Sequence, residues 1–300
     1  MAEVTHSIFY APQYVAINLG YFEEVGLEVE LINAGGADKV MAALLSNDVQ
    51  IGFSGPETTI YVYNNGNENY MINFAQVTKR DGSFIVSREK DDDFTLEDLK
   101  GKSILGGRVG GMPLMNLEYV LKENGLTVGR DQEGFDVNVR TDIQFNAMAG
   151  AFISGEADYT TLFEPTALEL EKNNQGYVVT SVGKYSDEVP FTAYYATKDY
   201  INSNKEIIEK FTTALAKAQK FVRENDDLEV AKAIKESFPE TSLQDLEEVI
   251  RRYREADVWC DTPFFKQEGL ERLMDIMEQA NELESRPSYD ILVDNSFYKK

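Results

Sequence analysis

Three strand-to-helix corners of the sequence carry the residues best suited to hold a small molecule. They are Ser54-Gly55-Pro56-Glu57, Phe163-Glu164-Pro165-Thr166 and the glycine-rich run Gly106 to Met112. In open α/β sheets, ligands bind beyond the carboxyl ends of the strands, where N–H groups at helix N-termini lack intrahelical partners. The sequence therefore predicts three binding corners, with ordinary helix caps or structural turns as the alternative.

The corners offer different contacts. Ser54 can cap a helix, Gly55 lets a ligand approach the backbone, and Pro56 suits a first helical turn. The third corner forms a backbone nest that can hold a polar or anionic group; its predicted contacts are Arg108, Gly110, Gly111 and Met112. This run has neither the ending of a phosphate loop nor the spacing of a dinucleotide fingerprint.

Aromatic side chains gather near the same segments and could stack on a flat ring. They are Phe9, Tyr10, Tyr14, Phe53, Phe145, Phe163, Tyr194 and Tyr195. A place in the hydrophobic core is the alternative for each. Charged residues of both signs compete for the region, which argues against a bare oxyanion as the ligand; they are Asp38, Glu57, Lys79, Arg80, Asp81, Arg108 and Glu164.

Catalytic and metal chemistry have little support. His6 is the single histidine and falls in the predicted first strand, where a structural role is favoured. Cys260 is the single cysteine, so it allows no internal disulfide and no cysteine-rich metal site. We therefore expect no catalytic residue, no metal and no cofactor.

Composition limits the partners further. The 300 residues include 29 Lys and Arg against 52 Asp and Glu, for a formal net charge of -23. Such a charge repels phosphate backbones and anionic lipid headgroups, so we expect no nucleic-acid binding and no direct membrane insertion. No apolar run reaches the ~18 residues of a membrane-spanning helix.

The start of the chain is typical of an exported protein from which the export segment has been removed. Its first strand-like run, Val4 to Phe9, follows directly on Met1-Ala2, without the basic and apolar segments of an export signal. We expect an extracytoplasmic protein whose export segment, with or without a lipid anchor, has been removed. A cytosolic protein is the alternative.

The order of predicted elements indicates two α/β domains, because short apolar runs alternate with helical patterns. The first predicted elements are strand Glu3–Ile8, helix Pro12–Glu24, strand Glu28–Ile32, helix Asp38–Ser46, strand Gln50–Phe53 and helix Pro56–Asn64. Strands Tyr70–Thr78 with Ser83–Ser87, and Phe191–Thr197, are predicted to cross between the domains. The predicted domains are 1–80 with 191–300, which ends in a helical layer, and 81–190.

An internal sequence repeat supports two domains with the same order of strands and helices. Met41-Ala42-Ala43, an acidic turn and Pro56 are matched by Met148-Ala149-Gly150, an acidic turn and Pro165. Chance similarity of two ordinary αβα units is the alternative.

Four segments resemble ABC-importer binding proteins of the branch for nitrate, sulfonates, taurine and thiamine-pyrimidine precursors. They are His6 to Pro12, Gly20-Tyr21-Phe22 with Gly26 to Leu31, Leu44 through Gly52 to Pro56, and Leu96 to Ile104 before the glycine-rich corner. The resemblance covers about Val4 to Phe238 and does not specify the ligand.

The resemblance implies a type II periplasmic-binding fold, in which two α/β lobes joined by two crossing strands hold a ligand between them. It implies permease subunits as partners, and we expect a monomer. The family's binding positions fall on Phe9, Tyr10, Tyr14, Gly36, Asp38, Ser54, Gly55, Pro56, Glu57, Arg108, Gly110, Gly111, Met112, Phe163 and Glu164. Arg80 and Tyr194 complete the predicted site.

Glu57 and Glu164 decide the predicted ligand, because they stand at corners where an anion would need hydrogen-bond donors. They favour an aromatic heterocycle that carries an amine, such as a thiamine-pyrimidine precursor; sulfonate, taurine or nitrate is the alternative. Fold-related pyrimidine synthases depend on a cysteine-rich stretch and an active histidine, and LysR-type sensors carry an N-terminal helix-turn-helix. Both are weaker interpretations of this sequence.

Overall fold

Strands and helices alternate through most of the chain, and the computed structural model describes residues 1–299. The strands are β1 (Ala2–Glu3), β2 (Ile32–Asn33), β3 (Gly52–Ser54), β4 (Met71–Thr78), β5 (Phe84–Ser87), β6 (Lys102–Leu105), β7 (Val128–Arg130), β8 (Val137–Arg140), β9 (Tyr159–Leu162), β10 (Tyr177–Ser181) and β11 (Thr192–Thr197). The helices are α1 (Ala11–Asn18), α2 (Tyr21–Glu24), α3 (Ala37–Leu45), α4 (Glu57–Asn64), α5 (Met112–Glu123), α6 (Met148–Ser154), α7 (Thr166–Lys172), α8 (Lys198–Ser203), α9 (Lys205–Glu224), α10 (Asp227–Ile234), α11 (Leu243–Glu255), α12 (Gln267–Gln279) and α13 (Tyr289–Leu292).

The described chain forms two compact units. The first contains 1–80, 188–274 and 283–299, and the second contains 81–187 and 275–282. Residues 275–282 thus lie with the second unit rather than with the first domain, where the sequence predicts them. Arg130 accounts for this placement, because its guanidinium donates to the Ala280 carbonyl at 3.3 Å and lies 3.6 Å from the Glu282 carboxylate. The division into two ligand-binding lobes stays a prediction.

The first unit is built on a five-stranded sheet in the order β2-β1-β3-β11-β4. β1 is parallel to β2 and β3, whereas β11 is antiparallel to β3 and β4. Helix α3 buries Val40, Met41 and Leu44 against this sheet. Helix α9 buries Phe211, whose ring meets Tyr194 of β11 at 4.8 Å. The carboxyl end of β3 leads directly into α4.

The second unit is built on a six-stranded sheet in the order β10-β5-β9-β6-β8-β7. Its strands β6, β7, β8 and β9 are parallel, and β5 is antiparallel to both of its neighbours. One apolar cluster joins the sheet to α5, and another joins it to α6 and α7. Because β6, β8 and β9 run in the same direction, the loops that follow them leave from one edge of the sheet.

The beginning of the chain differs from the predicted strand and helix. β1 ends at Glu3, and Ile8–Tyr10 forms a short 3-10 turn because the Ser7 hydroxyl accepts a hydrogen bond from the Phe9 N–H at 3.3 Å. His6 therefore lies in a loop rather than in a strand. The predicted helix Pro12–Glu24 is interrupted at Gly20, which has a left-handed φ of 70°.

Within residues 1–299, no helix has both the length and the apolarity to cross a membrane.

Candidate functional site

The corner after β3 holds a buried carboxylate. Glu57 is the first residue of α4 and is 3% exposed. Its carboxylate lies against Gly55, since a Cβ at position 55 would stand 2.0 Å from Glu57 Oε2. Glycine at 55 thus leaves the room that the carboxylate occupies. The position at a helix N-terminus stabilises its negative charge through the helix dipole.

Tyr10 lies close to this carboxylate. Its ring meets Phe53 edge-on at 4.6 Å, and the side chain is 4% exposed. Burial raises the pKa of the Tyr10 phenol, and the negative charges of Glu3 and Glu57 raise it further. Tyr10 is therefore a neutral phenol beside a buried carboxylate. Such a pair offers acceptors and one donor, a combination that suits an amino group.

Ser54 has a structural role at this corner. Its hydroxyl shares a hydrogen bond with the Tyr195 hydroxyl, with 2.5 Å between the oxygens, and Ser54 is wholly buried. Thr58 completes the cluster by donating to the Gly55 carbonyl at 2.8 Å. These bonds tie the start of α4 to β3 and β11, and so fix the position of Glu57.

A buried network around Glu3 was not anticipated from the sequence. Glu3 Oε2 accepts hydrogen bonds from Gln13 Nε2 at 2.6 Å and from the Tyr14 hydroxyl at 2.7 Å. The Tyr194 hydroxyl donates to Gln13 Oε1 at 2.7 Å. Tyr14 and Tyr194 are fully buried, with no face open to a ligand ring. We therefore remove both from the site that we propose below. An acidic residue inside a predicted strand was the one signal of this network.

Phe9 also belongs to the interior of the first unit. Its side chain is fully buried against Tyr253, with 5.3 Å between the ring centroids. Its carbonyl accepts a hydrogen bond from Trp259 Nε1 at 2.8 Å. The predicted stacking role of Phe9 is thus not supported by any open face, and Tyr10 is the residue of this segment that borders Glu57.

His6 faces two hydrogen-bond acceptors. Its Nε2 lies 2.8 Å from the Ser237 carbonyl and its Nδ1 lies 3.0 Å from Glu3 Oε1. A carbonyl and a carboxylate only accept, so both ring nitrogens carry protons in the favoured form. The hydrogen bond to Glu3 raises the pKa of His6 above its ordinary 6.5; the Ser237 carbonyl adds to this, and burial opposes it. His6 thus joins the N-terminal loop to the helical layer as an imidazolium.

We expect NMR to find the pKa of His6 above 6.5. Because His6 is the single histidine, its imidazole signals can be followed through a pH titration without overlap. A raised folded-state pKa means that His6 stabilises the fold fully below pH ~6.5 and that this contribution is lost as the pH rises through the folded pKa. His6→Gln should therefore lose stability relative to the wild type at pH 6 and less at pH 9. A pKa at or below 6.5 would show that the contacts with Glu3 and Ser237 do not favour the protonated form of His6.

The corner after β9 uses its carboxylate differently. Glu164 is 2% exposed, and its Oε2 accepts a hydrogen bond from the Leu168 N–H at 2.8 Å, within the first turn of α7. The carboxylate therefore caps its own helix. Phe163, the preceding residue, is half-buried and its ring lies 5.9 Å from that of Phe145. The two mirrored corners of the sequence thus hold their glutamates in different surroundings.

The glycine-rich corner after β6 is a tight turn. Gly107 and Gly110 have φ values of 99° and 77°, in the left-handed region that favours glycine. Arg108 is exposed on this turn, whereas Met112 is 2% exposed and begins α5. Gly111 is partly buried and its N–H donates to the Arg108 carbonyl at 3.2 Å. Arg108 is therefore the charged side chain that this corner exposes to solvent.

The remaining predicted residues lie elsewhere in the first unit. Gly36 precedes α3 and is partly buried, and Asp38 is exposed in the first turn of that helix. Arg80 forms an ion pair with Asp257 of the C-terminal segment, with 3.5 Å between Nε and Oδ2. Arg80 therefore links the end of segment 1–80 to segment 188–274 within the first unit. Pro56 is buried as the N-cap of α4.

Asp81 is a buried acid of the second unit. Its carboxylate accepts hydrogen bonds from the Ser83 N–H at 2.8 Å and from Asn116 Nδ2 at 2.9 Å. Full burial nevertheless raises its pKa from 3.8 to about 6. For metals, no group of three or more His, Cys, Asp or Glu side chains among the described residues is placed to hold an ion.

The chain is similar to a known protein family and to a binding protein of Bacillus subtilis. The profile described as "NMT1/THI5 like" matches residues 8–228. "Putative binding protein YtlA" of Bacillus subtilis (strain 168) is 40% identical over 300 residues, which are 100% of this chain and 88% of that protein.

Solved structures share the fold. A ligand-binding component of an ABC-type import system from Staphylococcus aureus superposes with a TM-score of 0.76 at 14% identity, over 99% of this chain and 96% of that one. The alkanesulfonate-binding protein SsuA from Xanthomonas axonopodis pv. citri gives 0.74 at 14% identity, over 98% and 97%. The predicted fold class, an α/β periplasmic-binding fold, is therefore confirmed.

Proposed function

The chain belongs to the NMT1/THI5-like family, and we propose that it is the extracytoplasmic substrate-binding component of an ABC importer. It captures a small organic molecule, passes it to the permease subunits and catalyses no reaction. The name of its 40% identical relative as a binding protein and the fold shared with a component of an import system support this function.

The ligand that we propose is an aromatic heterocycle with an amino group, of the thiamine-pyrimidine kind. The observation that carries this proposal is the Glu57 carboxylate, which is 3% exposed and lies beside the neutral phenol of Tyr10. A carboxylate accepts charge-assisted hydrogen bonds from an amine, and it repels an oxyanion. Tyr10, Gly55 and Glu57 are thus the proposed contacts in the first unit.

Sulfonate, taurine or nitrate is the second candidate. Arg108 supports it, because this cation is exposed on the glycine-rich turn and can pair with an anion. In the second unit, the proposed contacts for either ligand are Arg108, Gly110, Gly111, Met112 and Phe163, and Glu164 is a proposed contact for the amine-bearing ligand alone.

Replacing Glu57 by Gln should weaken binding of an aminopyrimidine about tenfold or more, because hydrogen bonds to a charged group contribute about 1.5–3 kcal/mol. The same change should leave an alkanesulfonate unaffected or bound more tightly. Titration calorimetry with both compounds measures this, and Glu28→Gln, which alters an exposed carboxylate of the same unit, is the matched control. Micromolar binding of taurine or an alkanesulfonate, with none for aminopyrimidines, would refute an amine-bearing heterocycle as the ligand.

A further inference from the structure

The edge of the second sheet where β6, β8 and β9 end carries an exposed apolar surface. Phe145 follows β8 and is 48% exposed, and Val109 follows β6 and is 47% exposed. Phe163 follows β9 directly and is half-buried. These three side chains, which we call the aromatic edge, stand on the three loops that leave the same side of the parallel strands.

The two rings of the aromatic edge are held as a pair. The centroids of Phe145 and Phe163 are 5.9 Å apart, and their planes are tilted by 56°. Phe163 is fixed by its place between β9 and the capped start of α7, so it supports Phe145 from one side. Phe145 nevertheless remains 48% exposed to solvent, so its ring is accessible to a planar group that stacks on it.

The size of the aromatic edge decides between a protein and a small molecule as its occupant. A stable protein interface buries more than ~1,000 Å² in total, which is far more than three side chains can supply. One heteroaromatic ring needs only a face of the size of another ring. The adjoining Arg108 turn supplies polar groups for substituents at the margin of such a ring.

We propose that Phe145, supported by Phe163, is the stacking platform for the ring of the captured ligand, and that it determines the preference for planar over aliphatic compounds. This inference rests on the proposed function as a solute binder. The sequence analysis named Phe145 and Phe163 among eight candidate stacking rings, and the proposal narrows that set, because Phe9, Tyr14 and Tyr194 are fully buried.

The chain contains a matched control for this proposal. Phe135 is 45% exposed and precedes β8, whereas Phe145 follows it, so the two phenylalanines lie at opposite ends of one strand. Phe145→Ala should weaken binding of an aminopyrimidine about fivefold, the size of one aromatic stacking contact, and Phe135→Ala should not. Normal thermal melting of each variant shows that a loss of affinity is not a loss of folding.

A direct readout uses the whole chain labelled with 4-fluorophenylalanine and observed by ¹⁹F NMR, with the Phe145 signal assigned from Phe145→Leu. Aminopyrimidine and an amine-free pyrimidine should both move the Phe145 signal, and an aliphatic sulfonate should not. If neither ring compound moves it at millimolar concentration, or if one binds by calorimetry without moving it, the platform is refuted. Equal binding of the two pyrimidines would refute the role of Glu57 while the platform stands.

Discussion

Asp81→Asn should raise the free energy of unfolding by on the order of 2–3 kcal/mol at pH 8 and change it little at pH 4. The wild-type carboxyl has a pKa of about 6 in the folded protein against 3.8 for an ordinary aspartate. Each unit of pKa corresponds to about 1.4 kcal/mol. The shift from 3.8 to about 6 therefore means that ionisation of this buried group destabilises the folded state by on the order of 2–3 kcal/mol. An amide never ionises, so the variant avoids the cost.

An amide at position 81 can keep a hydrogen bond to each of its two neighbours, Ser83 and Asn116. The Ser83 N–H can donate to the new carbonyl oxygen as it does to the carboxylate. Among the described residues, Asn116 Oδ1 is buried without a hydrogen-bond partner. If the Asn116 amide rotates by 180°, that oxygen can accept from the new amide, which keeps one hydrogen bond between the two side chains.

Urea unfolding of the wild type and Asp81→Asn between pH 4 and pH 8 tests this prediction. Because the folded pKa is raised, the wild type should lose stability as the pH rises from about 4 to about 6, and the gap between the two proteins should open in that window. Asp92→Asn, which alters an aspartate with an 80% exposed side chain, is the control. A stabilisation of equal size at pH 4 and pH 8 would contradict a titrating Asp81.

Most of the fold follows from local patterns in the sequence. Helix α4 begins within one residue of its predicted start, because Pro56 marks its first turn. Strands β4 and β5 are predicted to within one residue because β-branched and aromatic residues run between polar turns. In contrast, β7 was not predicted, since Val128-Gly129-Arg130 is too short and too polar to give a period.

The candidate site was less predictable, because burial depends on partners that are distant in the sequence. Tyr10 and Tyr14 have the same side chain and lie four residues apart, yet only Tyr10 borders Glu57, while Tyr14 is bonded to Glu3. The difference arises when α1 packs its Tyr14 side on β1. Phe145 could not be distinguished from the core phenylalanines for the same reason, because the residue type alone does not determine whether a side chain is exposed.

Glu3→Ala should destabilise the first unit by about 3–5 kcal/mol, the usual cost of removing one partner from a buried charged pair. Glu3 is 1% exposed, and its carboxylate accepts from Gln13 and Tyr14 while it faces His6. Deleting it leaves those donors buried without an acceptor. Tyr14→Phe removes one donor to the carboxylate and the acceptor of the Ser7 N–H but leaves the carboxylate with its other partners, so it should cost less, about 1–3 kcal/mol.

Chemical denaturation followed by the fluorescence of Trp259, which lies in the first unit, measures these losses, and Glu28→Ala is the control for an exposed carboxylate. The Glu3→Gln variant adds a readout that a general loss of packing would not give. With a neutral amide in place of the carboxylate, the pKa of His6 should fall below its wild-type value, because the hydrogen bond to Glu3 is the main cause that raises it. A folded Glu3→Gln protein in which the His6 titration does not move would show that the carboxylate and the imidazolium are not coupled.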